Sequence, residues 1–143
     1  MENKRFKPLF DKLFFIIWIP TTILMIAVTV LTAFYPVALL IIILTDLFTF
    51  YFLVSSLIGY VELREDSLFI RFGFILKRDI PYIKIRGVRK ERRFYSESML
   101  ALKNSFEHVD IKYNKYDVVS VSVVGNDEFI SALEARLEER KYN

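Results

Sequence analysis

The chain has no cysteine. Disulfides, thiolate nucleophiles and cysteine-ligated metals are therefore excluded, while the redox compartment stays open. Glycine and proline are scarce, four of each, which removes collagen-like and low-complexity classes. His108 is the one histidine, so no His pair and no HExxH motif can build a metal centre. No Gly-rich phosphate loop occurs. Charge is nearly absent from one long stretch: from Leu13 to Gly59 the only charged residue is Asp46.

What is present is apolar and aromatic: 54% hydrophobic residues, with 14 Phe and 8 Tyr. The apolar run 13–59 is too long for a single span, because the hydrocarbon core takes about 20 helical residues. Tyr35-Pro36 falls near its middle, and proline turns the preceding residue away from helix. The expectation is a hairpin of two membrane spans, Leu13–Phe34 and Val37–Gly59, with a short outer turn. A cleaved signal peptide fits less well, since the apolar part is too long and "TAFYP" lacks the small residues of a cleavage site. Lys4, Arg5, Lys7 and Lys12 precede the first span, sixteen Lys and Arg follow the second, and the turn has none. The positive-inside rule then makes this a multi-pass protein of the cell membrane with both termini cytoplasmic. Trp18, Tyr35 and Tyr60 fall near the expected interfaces.

An intramembrane carboxylate is costly, so Asp46 is a candidate functional residue. Folding the hairpin about Tyr35-Pro36 sets it level with Met25, between Thr22 and Thr29. A protonated or Thr-bonded side chain that glues the helices is the simpler role. With no second intramembrane charge, an ion relay is not expected.

After Gly59 the pattern becomes period two. "YVELRE" reads as a strand. "LFIRF" puts Leu68, Ile70 and Phe72 on one side and Phe69 and Arg71 on the other. "FILKRDI" is a third strand and "YIKIRGVRKERRF" a fourth, with Ile83 and Ile85 opposite Lys84 and Arg86 and a bulge at Gly87. "YSESMLALKNSF" fits a helical turn or a buried strand equally. "HVDIKY" turns Val109, Ile111 and Tyr113 inward and His108, Asp110 and Lys112 outward. "VVSVSVV" sets Val119, Val121 and Val123 against Ser120 and Ser122, closing a hairpin. Asn126 is a candidate N-cap of a final amphipathic helix, with Asp127 and Glu128 at its positive end and Phe129, Ile130, Leu133 and Leu137 on one face. A strongly bent antiparallel sheet, capped by that helix, buries these stripes.

The segments "EDSLFIRFG", "LKRDIPYIKI", "SESMLALKNSFEHVDIKY" and "NDEFISALEARL" resemble the bacterial pleckstrin-homology-like (PH) domain family of the YyaB-like kind, over roughly residues 60–137. The resemblance implies a membrane α-helical hairpin plus an α+β PH-like domain, and no known activity. The chain departs from the commonest family form at Lys103–His108, where the usual Arg is missing, and at Val124-Gly125. The implied organisation is a basic N-terminus over 1–12, a two-helix hairpin over 13–59 and a cytoplasmic PH-like domain over 60–143.

No enzyme and no cofactor are expected. His108 reads as a solvated residue, Ser96, Ser98 and Ser105 have no base other than it, and Asp66, Asp79, Asp110 and Asp127 sit at turns or polar faces. The densest charge lies in "KRDIPYIKIRGVRKERR", which holds Lys77 and Arg78 and then Lys84, Arg86, Arg89, Lys90, Arg92 and Arg93. Those last six are the candidate contacts to anionic lipid headgroups or to an acidic protein or peptide partner. A merely solvated sheet face is the plain alternative. Nucleic acid is not expected, because the aromatics read as core. The leading role is a membrane-anchored binding or scaffolding module. The alternative, by analogy with small membrane proteins of similar build, is self-immunity against a bacteriocin-type peptide.

Overall fold

The structure is a computed structural model and describes residues 3–98 and 101–142. Its elements are β1 (Lys4–Phe6), α1 (Lys12–Leu31), α2 (Pro36–Ile58), β2 (Tyr60–Leu63), β3 (Ser67–Arg71), β4 (Lys77–Pro81), a 3-10 turn (Tyr82–Lys84), β5 (Ile85–Arg92), β6 (Ala101–Leu102), β7 (Glu107–Tyr113), β8 (Asp117–Val121) and α3 (Asn126–Tyr142).

Helices α1 and α2 are both long and apolar enough to cross a membrane. Their side chains are mostly exposed, unlike those of a soluble core helix: Ile23, Leu24, Leu40, Leu47 and Phe48 all face outward. Each helix is about 30–35 Å long at 1.5 Å per residue, enough for the hydrocarbon core. Pro36 opens α2 at its first turn, where its missing N–H costs nothing. Asp11, just ahead of α1, accepts a hydrogen bond from Leu13 N at 2.8 Å and caps the helix.

The strands form two four-stranded sheets, ordered β1-β2-β3-β4 and β5-β7-β8-β6, rather than one closed barrel. All pairs are antiparallel except β6 with β8. The core lies between the sheets and α3: Val61, Leu63, Leu68, Ile70, Val109, Ile111, Val121, Phe129 and Leu133 are all fully buried. Inward positions of β3, β7 and β8 match the period-two reading, and the register of β5 on β7 shifts between Ile85 and Gly87, the expected bulge.

Four readings change. The basic N-terminus is part of the domain, since β1 pairs with β2, Lys4 opposite Leu63 and Phe6 opposite Val61. Strand β4 begins only at Lys77, and Phe74, Ile75 and Leu76 are an exposed loop. Tyr82–Lys84 is a 3-10 turn, so Ile83 points outward, 89% exposed, while Tyr82 is buried. Asn126 Oδ1 accepts from Val123 N behind it, at 3.0 Å, instead of capping the N–H groups ahead. In the ambiguous stretch before β7, Ala101 and Leu102 form a short strand; Met99 and Leu100 lie outside the described residues.

The β1–β2 pair has a topological meaning. One strand precedes α1 and the other follows α2, so both flanks of the helical hairpin lie on one side. Further bonds join the hairpin to the domain. Ser105 Oγ and Phe106 N donate to Asp11 Oδ2 at 2.8 and 3.0 Å, and Asn104 Nδ2 donates to Ser56 O at 3.4 Å. At Gly59 a Cβ atom would lie 2.3 Å from Leu102 Cδ1 and 2.9 Å from Arg71 O, so only glycine lets α2 approach the sheet this closely.

Candidate functional site

The six basic candidates divide into two sets. Arg93 reaches Asp110 Oδ2 at 3.1 Å and Glu97 Oε1 at 2.9 Å. Lys90 Nζ lies 2.8 Å from Asp127 Oδ1 and 3.0 Å from Glu107 Oε1. Hydrogen bonds to Asp127 and then Glu107 hold its ammonium above the usual lysine range. Arg89 meets Glu91 at 3.3 Å. These three are engaged with the domain's own carboxylates. Lys84, Arg86 and Arg92 are exposed and, among the described residues, form no ion pair.

The free charges sit at opposite ends of β5. The Arg92 end adjoins the start of α1: Arg93 N donates to Phe106 O at 3.1 Å, and Phe106 N in turn donates to Asp11. The Lys84 and Arg86 end meets the 3-10 turn and the β2–β3 turn, where Tyr82 N donates to Asp66 O at 3.2 Å. At about 3.3 Å per residue, Arg86 and Arg92 are about 20 Å apart along the strand.

Beside Arg86 is a cleft of about 830 Å³ between β5 and α3. Ile83, Ile85, Arg86 and Val88 line one wall and Glu134, Leu137, Glu138 and Arg140 the other. Tyr82 forms part of its lining; its hydroxyl donates to Arg64 O at 2.7 Å, and burial pushes the phenol up to about 12. Among the described residues the outer edge of β5 carries no strand, and at Gly87 a Cβ would meet nothing within 4 Å. An edge strand beside a cleft of mixed apolar and charged lining offers backbone hydrogen bonds and side-chain pockets together, the combination that takes up extended peptides.

His108 is a correction. It is fully buried, not solvated, and so are Asp110, Ser120 and Ser122. The alternation is right, but the outward face of β7 and β8 is covered by the segment after β5. His108 Nδ1 lies 3.0 Å from Phe106 O and Nε2 lies 3.4 Å from Asp110 Oδ1. Ser120 Oγ donates to Asp110 Oδ1 at 2.5 Å, and Ser96 Oγ donates to Ser120 Oγ at 2.7 Å. Histidine, serine and aspartate thus meet, but the serine bonds the carboxylate and not the imidazole, and neither His108 nor Ser120 lines the cleft between β5 and α3. That is the inverse of a nucleophile–base pair, which needs the hydroxyl on the histidine and room for a substrate. The cluster ties the 93–98 segment to the sheet. Lys103 adds to this by donating to the carbonyls of Arg93, Phe94 and Tyr95, at 2.5, 2.7 and 3.0 Å.

The other carboxylates are also engaged: Asp66 with Arg140, Asp79 with Arg64 and Asp127 with Lys90. Between the helices, Thr29 Oγ1 donates to Asp46 Oδ2 at 2.6 Å, the Thr-bonded arrangement. Asp11 went unremarked in the sequence, although an Asp immediately before an apolar run is a helix-start signal. Strand β1 has no such signal, being three residues long.

The description of the bacterial PH domain matches residues 58–137, more than half of the chain, and the chain belongs to that family. No curated protein and no solved structure matches it. A domain of this family is a binding or scaffolding module.

Proposed function

We propose that the chain is an integral membrane protein with two spans and both termini cytoplasmic, and that its PH domain binds an acidic protein or peptide segment in the cleft between β5 and α3. The observation that carries this reading is the cleft itself, lined by Arg86, which has no ion pair among the described residues, by apolar Ile83, Ile85, Val88 and Leu137 among charged groups, and with the free edge of β5 alongside. Distance favours a partner over the leaflet at this end of the strand. Lys84 and Arg86 lie about 20 Å along β5 from the end joined to α1, and leaflet charge is screened within about 8 Å. Arg92, next to Asp11 and α1, has the position expected of a headgroup contact. The spans are held to the sheet by the Asp11 bonds and by β1, which supports a domain presented at a fixed height rather than on a loose tether. The domain works without catalysis on this reading, its Ser-His-Asp cluster being internal. No residue geometry favours interception of a toxin peptide over this reading.

The test is a photo-crosslinking residue at position 83 in the full chain, in growing cells, with position 124 as the control. The expected result is a protein adduct of discrete mass at 83 that weakens with Arg86→Glu, and none at 124. Adducts at 83 to lipid alone, or none at all, would refute the cleft as a partner site.

A further inference from the structure

The loop between β3 and β4 is out of keeping with a soluble surface. Phe74, Ile75 and Leu76 are consecutive and exposed, at 52%, 75% and 48%. The loop is not floppy at its base: Phe72 N donates to Leu76 O at 2.9 Å, and Arg71 Nε donates to Gly73 O at 2.7 Å.

Its position explains the composition. The loop lies against the side of α2. Gly73, at φ 143°, comes so close that a Cβ there would be 2.5 Å from Ser55 Cβ. The Phe74 ring lies 5.9 Å from the Tyr51 ring, tilted 32° to it. Tyr51 is seven residues before the end of α2, about 10 Å down the helix axis. The apolar tip therefore continues the exposed apolar surface of α2, next to Phe48 and Phe52. Arg71, Lys77 and Arg78 flank it on the strand side. Three apolar residues ahead of a collar of cations match the layering of a bilayer interface, acyl chains below and phosphates above.

We propose that the Phe74–Ile75–Leu76 loop is a second membrane contact, dipping between the acyl chains of the cytoplasmic leaflet beside α2, with Lys77 and Arg78 at phosphate level. This rests on the reading of α1 and α2 as membrane spans. The occupant is lipid, because the loop is continuous with a helix face whose surroundings are lipid, and because its cations stand where phosphates would be. The domain is then fixed to the leaflet at two places, the helix ends and this loop, and cannot swivel about the junction.

Trp18, the one native tryptophan, lies in α1 and reports the spans. The full chain is placed in bilayers whose lipids carry bromine on the upper acyl carbons, and tryptophan emission is read. Three proteins are compared: the native chain, Trp18→Phe with Ile75→Trp, and Trp18→Phe with Ile83→Trp. Ile83 is 89% exposed and lies past the far end of β4 from the loop. The expected result is loss of emission from position 75 equal to that of Trp18, and none from position 83. Quenching of Trp18 without quenching at 75 would overturn the loop contact while leaving the spans intact. Absence of quenching at Trp18 would overturn both.

Discussion

Asp11 and Ser105 stand 94 positions apart in the chain and are joined by a hydrogen bond of 2.8 Å, the serine hydroxyl donating to the carboxylate. The same carboxylate caps α1 through Leu13 N and accepts from Phe106 N. Burial raises the pKa of Asp11, but the bonds from Ser105, Phe106 and Leu13, with the nearby charge of Arg92, outweigh it, and the net shift is downward from 3.8. A lowered folded value means that the unfolded chain takes up the proton first. The stability from Asp11 is thus complete above about its unfolded pKa of 3.9 and is lost as pH falls through the folded value. Asp11→Ala should lower stability at neutral pH by about 0.5–2 kcal/mol, the worth of an N-cap. Thermal unfolding of both proteins across pH should show that gap closing in acid; a constant gap would contradict the assignment.

The β1–β2 pairing forecasts what truncation does. Phe6 is buried and packs edge-on against Phe129 at 5.2 Å. Phe6→Ala should cost about 3–5 kcal/mol, as for other buried aromatics, measured by denaturant unfolding of the full chain. A fragment of residues 60–143 lacks this strand and should unfold at lower denaturant than the full chain does.

The buried cluster predicts a hierarchy among the arginines. Arg93 faces Asp110, whose side chain is 4% exposed, whereas Arg86 has no ion pair among the described residues and Arg89 meets only Glu91. Arg93→Ala should lower the melting temperature well below that of Arg86→Ala or Arg89→Ala, which should lie close to the native value. Ser120→Ala removes a bond to a charged, buried acceptor and should cost about 1.5–3 kcal/mol. Equal effects for all three arginines would mean that the Asp110 contact contributes little.

Gly73 combines a left-handed backbone with contact to Ser55. Gly73→Ala should destabilise by more than about 1 kcal/mol, since both the φ and the space disfavour a side chain. The bulge residue Gly87 faces open space. Gly87→Ala should be close to neutral in the same melting experiment, and the contrast separates close packing from general glycine sensitivity.

Within the hairpin, Thr29→Val should weaken association of α1 with α2 by about 0.6–2 kcal/mol, the range for interhelical hydrogen bonds in lipid. Unfolding from bilayers checks it, and a double-mutant cycle with Asp46→Leu should show the two losses to be non-additive.

The sequence discloses period far better than surroundings. The apolar run, the alternation in Leu68–Phe72, Val109–Tyr113 and Val119–Val123 and the helix after Gly125 follow from local spacing, and all are found. His108, Asp110 and Ser120 were on the correct side of their strands but not in water, because what covers that side is the segment 93–98, distant in sequence and irregular in pattern. Ile83 was set on one side of a strand with Ile85, opposite Lys84 and Arg86, but the chain takes a 3-10 turn over Tyr82–Lys84 before that strand begins. The basic candidates show the same limit. Their density is visible in one line of sequence, but only folding brings Asp127 and Glu107 to Lys90 and Asp110 to Arg93.

Strand β1 leaves the ribosome long before its partner β2, and on the two-span reading the intervening chain must first pass into the membrane and back. The first sheet can be completed only after that passage. A molecule whose hairpin is inserted wrongly keeps Phe6 and its edge of the sheet unmatched, exposed to proteolysis and chaperones. On that two-span reading the short strand acts as a check on biogenesis: the domain finishes folding only on chains already seated with the correct topology.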